Sequence, residues 1–250
     1  MTKMNKVVVI GGTGLIGSKV VKLLESNGHE AVVASSSNGI NAYTGEGLTE
    51  ALAGADAVID VSNMMSFDRN VITDFFATSS RNLTRAERTA GVRHHVVLSI
   101  VNTESLATNP YMAGKLAQEE AVAASGQAYT IVRATQFHEF LETLADAYSA
   151  DGTVSVPDID FQPIAAADVA ATLVEVALAA PKNGTVDIAG PERASFESFI
   201  RTYLDSKLDT RPVNADTTVD YFGAPVVIGS LVPGGDYIRG RITLAEWLRA

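Results

Sequence analysis

Cysteine is absent from the 250-residue chain, which excludes disulfides, thiolate nucleophiles and Cys-based zinc sites together. Histidine is almost as scarce, and His29, His94, His95 and His138 include no pair at metal-ligand spacing. Runs of about 18 apolar residues, the length a membrane helix needs, are missing. The apolar stretch at 7–10 is too short for the core of a secretory signal. A cytoplasmic protein with no membrane partner is expected. Basic residues are outnumbered, 19 against 29 acidic, for a formal net charge of −10, so nucleic acid is repelled over most of the surface. In contrast, 46% of residues are hydrophobic and only 19% charged, which fits a folded chain with a large core. One domain over 1–250 is expected, because α/β folds reach this size around a single core.

Residues 7–10 form a continuous apolar run ending at glycine, as in a strand buried on both faces of a parallel sheet. Leu15, Ile16, Val20, Val21, Leu23 and Leu24 then follow helical spacing up to Gly28. A strand at 30–34 completes a βαβ unit. The alternation continues with helices over 48–53, 71–90 and 110–124 and strands over 57–61, 95–101 and 129–133. Such alternation selects a doubly wound parallel sheet with right-handed crossovers, an α/β fold of Rossmann type. After about residue 150 the regularity weakens. Short apolar runs at 153–156 and 185–188, helices over 167–179 and 196–204, and a capping-box spacing at Thr243 to Glu246 are read as a small lobe covering the substrate.

Gly11 and the sequence Gly12-Thr13-Gly14-Leu15-Ile16-Gly17 place a G-x-G-x-x-G turn directly between a buried strand and an amphipathic helix. In that context the glycines permit a tight turn, a close approach of phosphate to the backbone, and packing of helix on strand. A nicotinamide dinucleotide is the expected cofactor, its pyrophosphate held by helix N–H groups whatever the global charge. About 20 residues on, an acidic residue would bind the adenine ribose of NAD and an arginine would favour NADP. Ser35, Ser36 and Ser37 stand there instead. Hydroxyls donate to a 2′-phosphate without a carboxylate's repulsion, so NADP(H) is favoured over NAD(H).

Tyr111 and Lys115 lie four residues apart, hence on one helical face. Asn109 can cap that helix and Pro110 suits its first position, which puts Tyr111 in the first turn, at the strand-exit edge where ligands bind. Ser99 ends the preceding strand. The expected chemistry is proton donation from Tyr111 to a carbonyl oxygen as hydride reaches carbon, with Ser99 donating to the same oxygen. Lys115 is expected to lower the phenol pKa by favouring phenolate. Carbonyl reduction on a small-molecule substrate, or alcohol oxidation in reverse, follows.

These features resemble the short-chain dehydrogenase/reductase superfamily, in particular its atypical, NmrA-like branch. The resemblance is carried by residues 11–17, Val96 to Ser99, Tyr111 with Lys115, Tyr129 to Arg133 followed by Thr135, Gln136 and Phe137, and Gln162-Pro163-Ile164 before Asp168-Val169-Ala170. It implies that Thr135, Gln136 and Phe137 border the nicotinamide and that Val61, Ser62 and Asn63 lie near the cofactor ribose. It also implies that Lys115 hydrogen-bonds the nicotinamide ribose. The asparagine of the family's catalytic tetrad is left unassigned, with Asn70 and Asn82 as candidates. Atypical relatives include quinone reductases that assist oxygenation of aromatic polyketides, and others that have lost the tyrosine and act as non-catalytic redox sensors.

Phe161, Tyr203, Tyr221, Phe222 and Tyr237 fit an aromatic substrate pocket or core packing equally well. His29, His94 and His95 are read as surface residues and His138 as a residue of the loop after the 129–133 strand. Asp168, at a helix start, is read as a cap or dipole partner.

Overall fold

The computed structural model describes residues 5–250. Strand β1 (Lys6–Ile10) is followed by helix α1 (Leu15–Ser26), β2 (Glu30–Ala34), α2 (Leu48–Leu52), β3 (Ala57–Asp60), α3 (Arg69–Ala90), β4 (His94–Ile100), α4 (Pro110–Ala123) and β5 (Tyr129–Ala134). Then come α5 (Leu141–Ala147), β6 (Ser149–Ala150), β7 (Thr153–Pro157), β8 (Asp160–Phe161), α6 (Ala166–Leu178) and β9 (Gly184–Ala189). The chain ends with β10 (Ala194–Ser195), α7 (Phe196–Ser206), β11 (Val213–Asp216), β12 (Tyr237–Arg239) and α8 (Leu244–Trp247).

Seven strands form one sheet in the order β12-β9-β5-β4-β3-β1-β2, and every pairing in it is parallel. The apolar run of β1 is explained by its place between β2 and β3, with Val7 facing Ala31 on one side and Ala57 on the other. The order reverses between β1 and β3. A crevice therefore opens at their carboxyl ends, the position where open α/β sheets bind ligands. Helices α1 and α6 bury Ile16, Val20, Leu24, Val169 and Leu173 against one face of the sheet. On the other face Leu48, Leu52 and Leu83 pack against Val8 and Val58.

The sequence pattern does not reveal how far the last third joins this sheet. Residues beyond 150 contribute β9 and the edge strand β12 as well as a separate aromatic cluster, in which Phe161 stacks on Phe196 with ring centres 4.2 Å apart. Phe161, Tyr203 and Tyr221 are all core residues of that cluster. Among the described residues, no helix is long and apolar enough to cross a membrane.

Helices α3 and α4 approach closely because Gly114 faces α3. A methyl group there would stand 2.9 Å from the Phe76 ring and 3.0 Å from the Ile72 side chain. The start of α4 is built as its sequence indicates. Pro110 takes the first position, and the Asn109 side chain accepts the N–H groups of Tyr111 (2.8 Å) and Met112 (3.1 Å). Asn109→Ala is expected to destabilise the fold by about 1 kcal/mol, lowering the melting temperature by roughly 2–4 °C for a chain of this size. Thermal unfolding followed by circular dichroism checks this, and an unchanged midpoint would remove the cap's assigned weight.

Candidate active site

Three loops meet at the carboxyl end of the sheet. The first, after β1, turns at Gly11, whose φ of +78° is left-handed. A Cβ at Gly11 would lie 2.8 Å from the Val61 carbonyl oxygen, so the turn after β1 rests directly on the chain leaving β3. At Gly17 a Cβ would overlap the Gly11 carbonyl oxygen and Gly12 Cα, and only glycine lets α1 start this close to the turn. The α1 amino end has Gly14 as its cap residue, with no side-chain cap and no acidic residue in its first turn. Thr13, Gly14 and Leu15 are exposed there. The uncapped N–H groups and the positive end of the helix suit the pyrophosphate of a dinucleotide.

Leaving β2, Ser35 caps a short 3₁₀ turn (Ser36–Asn38). The Ser35 and Ser37 hydroxyls share a hydrogen bond of 2.8 Å, and the Asn38 amide donates to the Val33 carbonyl at 2.6 Å. All four residues from Ser35 to Asn38 are uncharged, so the loop offers hydroxyls and no carboxylate.

The loop after β3 is held by Asp60, buried at the strand end, which accepts the Ser62 N–H at 2.9 Å. Next along, the Asn63 amide oxygen accepts the Tyr111 hydroxyl at 2.9 Å. Residues 61–63 and Tyr111 are thus brought together. Thr135, in contrast, is already committed: its hydroxyl donates to the Gln162 carbonyl at 2.6 Å. Phe137 stacks on Phe140. Gln136 keeps a buried amide oxygen with no hydrogen-bond partner, as do the hydroxyls of Ser62 and Ser99. These three atoms sit at the ends of the neighbouring strands β3, β4 and β5, and unpartnered buried polar atoms are costly.

The Tyr111–Lys115 relation differs from the expected one. Burial pushes the Tyr111 phenol up to about 12, where a neighbouring cation was expected to pull it down. Both side chains pack on Phe76: the Tyr111 ring meets it edge-on at 6.1 Å, and the Lys115 ammonium lies 4.7 Å from its centroid. The ammonium donates to the Gln118 side-chain oxygen, one turn further along α4. Gln118 in turn donates to Asp60 at 2.9 Å. Burial pulls Lys115 down to about 8, opposed by the charges of Asp60 and Glu119. Neither expected tetrad asparagine reaches Lys115. Asn82 donates to the carbonyls of Ala42 and Tyr43, and Asn70 is exposed at the start of α3. Gln118 is the residue missed, and its only sequence signal is its place three residues after Lys115.

His94 and His95 are buried, not surface residues. His94 shares a hydrogen bond of 2.9 Å with Thr130, and His95 contacts Glu87 at 2.7 Å. Burial works against charge on His95, but Glu87, with Asp60 beyond it, holds its pKa above the usual imidazole value. His138 is buried beside Trp247, and burial pulls it down to about 4. Asp168 accepts the N–H groups of Arg241 and Ile242 at 2.7 and 2.8 Å, a fastening for the last segment. From that last third, the buried Tyr221 side chain meets Gln136, and the exposed Phe222 lies against the start of α4. The Asn109 side chain donates to the Phe222 carbonyl at 2.9 Å, and the Phe222 ring lies 5.3 Å from Tyr148 and 5.0 Å from Tyr221.

Residues 11–180 match the family model described as NAD(P)H-binding. The photosystem II assembly factor Ycf39 of Synechocystis sp. is 29% identical over 173 residues, covering 64% of this chain. The match spans half the length of that relative. Among solved structures, the NADPH-dependent quinone oxidoreductase QOR2 of Escherichia coli, complexed with NADPH, superposes with a TM-score of 0.76 at 19% identity. That alignment covers 97% of this chain and 98% of the other. MoeE5, in complex with UDP-glucose and NAD, gives 0.73 at 16% identity over 98% and 96% of the two chains. At such identities the shared property is the Rossmann-type fold.

Proposed function

We propose, from the premise that this chain belongs to the NAD(P)H-binding family, that it is a reductase using Ser99, Tyr111 and Lys115 to reduce a carbonyl or quinone on a small apolar or aromatic substrate. The observation that carries this reading is the convergence, at one sheet edge, of an uncapped glycine cradle with the unpartnered polar atoms of Ser62, Ser99 and Gln136. When bound, the dinucleotide supplies the hydride. Tyr111, its phenol still protonated far above neutral pH, donates its proton to the substrate oxygen. Ser99 donates a hydrogen bond to that oxygen as negative charge develops. Tyr111 then recovers a proton from solvent, so carbonyl, hydride and proton together yield the alcohol. Lys115 anchors the nicotinamide ribose. Tyr221 and Phe222 line the substrate side, in keeping with an aromatic substrate, and the likeness in fold to QOR2, a quinone oxidoreductase, makes a quinone one of the first substrates to test.

NADPH is the preferred cofactor in this reading, since the uncharged Ser35 to Ser37 loop accepts a 2′-phosphate. Titration of both nucleotides, followed by cofactor fluorescence, should give the lower Kd for NADPH. A lower Kd for NADH would overturn the preference, and failure to bind either would overturn the function. A second reading, a non-catalytic dinucleotide-binding regulator, draws on the Ycf39 relative, an assembly factor, and on Lys115 engaging Gln118 instead of Tyr111. NADPH oxidation with a panel of ketones and quinones separates the two, and inactivity across the panel would favour the regulator.

A further inference from the structure

We propose that Gln118, braced by Asp60, is a positioning residue that holds the Lys115 ammonium, as a cation, at the cofactor side of the site. The cofactor side of this inference rests on the role given to Lys115 above. Lys115 is buried, and a buried ammonium needs acceptors for its protons. Gln118 supplies one. Its amide cannot be turned over without loss, because its N–H end donates to Asp60 Oδ2 at 2.9 Å while its oxygen accepts from Lys115. Asp60 Oδ1 accepts the Ser62 N–H, and Asn63, the next residue, accepts the Tyr111 hydroxyl. A circuit of hydrogen bonds and short chain segments therefore runs from Lys115 through Gln118, Asp60 and residues 62–63 to Tyr111, and α4 closes it. Within the circuit, Gln118 is the member that meets the ammonium.

The charged and titratable groups around Lys115 come from every neighbouring element. Asp60 lies on β3, with Glu119 and Tyr111 on α4 itself. Asp60 also acts on His95 of β4, whose partner is Glu87 of α3. Glu119 is engaged by Arg133 at 2.6 Å, which weakens its pull on Lys115. Removing the Gln118 oxygen leaves the ammonium desolvated without a compensating bond, which favours the neutral amine. A carboxylate in its place favours the cation.

The test reads Lys115 directly and without cofactor. In protein labelled with ¹³C at lysine Cε, the Lys115 resonance, assigned by its loss in Lys115→Arg, should titrate near pH 8. In Gln118→Leu the midpoint should fall by about one unit, and in Gln118→Glu it should rise. NADPH affinity measured by fluorescence should weaken as pH rises through the midpoint, and this fall should move to lower pH in Gln118→Leu. An unmoved midpoint in a folded Gln118→Leu protein overturns the positioning role. If that variant does not fold, the absence of an upward shift in Gln118→Glu overturns it instead. A midpoint that moves as expected in a protein that binds neither NADPH nor NADH overturns the cofactor side of the proposal and the dinucleotide reading with it.

Discussion

Tyr111→Phe is expected to lower kcat for a simple ketone by about 10²- to 10⁴-fold while leaving NADPH affinity nearly unchanged, because only a hydroxyl acting in the transition state is removed. In the resting protein the substitution removes the hydrogen bond to Asn63 and leaves the ring in place, so the melting temperature should shift little. Steady-state kinetics on ketone and quinone substrates provide the check. A quinone can accept hydride with less dependence on a positioned proton donor, so an enzyme inactive on ketones that shows only a mild Tyr111→Phe defect on quinones would identify the quinone as the working substrate. Full activity of Tyr111→Phe on a ketone would remove the proton-donor role. The pH profile carries a sign of its own. With the phenol held protonated to about pH 12 and Lys115 losing its proton near 8, the loss of activity on the alkaline side should follow the lysine, not the tyrosine.

Gly17→Ala should be the most damaging change to dinucleotide binding. The new methyl group overlaps the Gly11 carbonyl oxygen and Gly12 Cα, both of them backbone, so the turn must open or α1 must withdraw. Either movement takes the helix N–H groups away from the pyrophosphate. A loss of at least about 100-fold in affinity, close to 2.7 kcal/mol, is expected by calorimetric titration with NADPH, together with a lower melting temperature from the strained packing. Unchanged affinity would mean that the glycine turn does not hold the phosphates.

The parts of the site that could be read from sequence are those encoded within a few residues. Gly11 to Gly17 carries its own strand, turn and helix start, and Asn109-Pro110-Tyr111 carries its own cap. The Tyr111 to Lys115 spacing gives a shared helical face. What stayed hidden depends on partners distant in the chain. Gln118 meets Asp60 across 58 positions and Tyr111 meets Asn63 across 48, and nothing local marks either pair. His94 and His95 look polar in isolation, yet both lie on a central strand where Thr130 and Glu87 complete them. The expected lowering of the Tyr111 pKa failed because burial of the phenol, which a four-residue spacing does not reveal, raises it instead. Strand β12 is three residues long, too short for any period to show, and it joins the sheet only because β9 presents an open edge.

Gly114 gives the proposed chemistry a mechanical dependence on residues that touch no ligand. The hydroxyl of Tyr111 and the ammonium of Lys115 ride on α4, while Asn63 and Asp60 ride on the end of β3 and Phe76 rides on α3. The spacing of the two helices is therefore a gauge on which both functional groups are set. A methyl group at 114, wedged against Phe76 and Ile72, would act as a shim, tilting α4 and drawing both groups off their marks at once. In the proposed mechanism, residues along the α3–α4 seam therefore set the alignment of Tyr111 and Lys115 without touching a ligand.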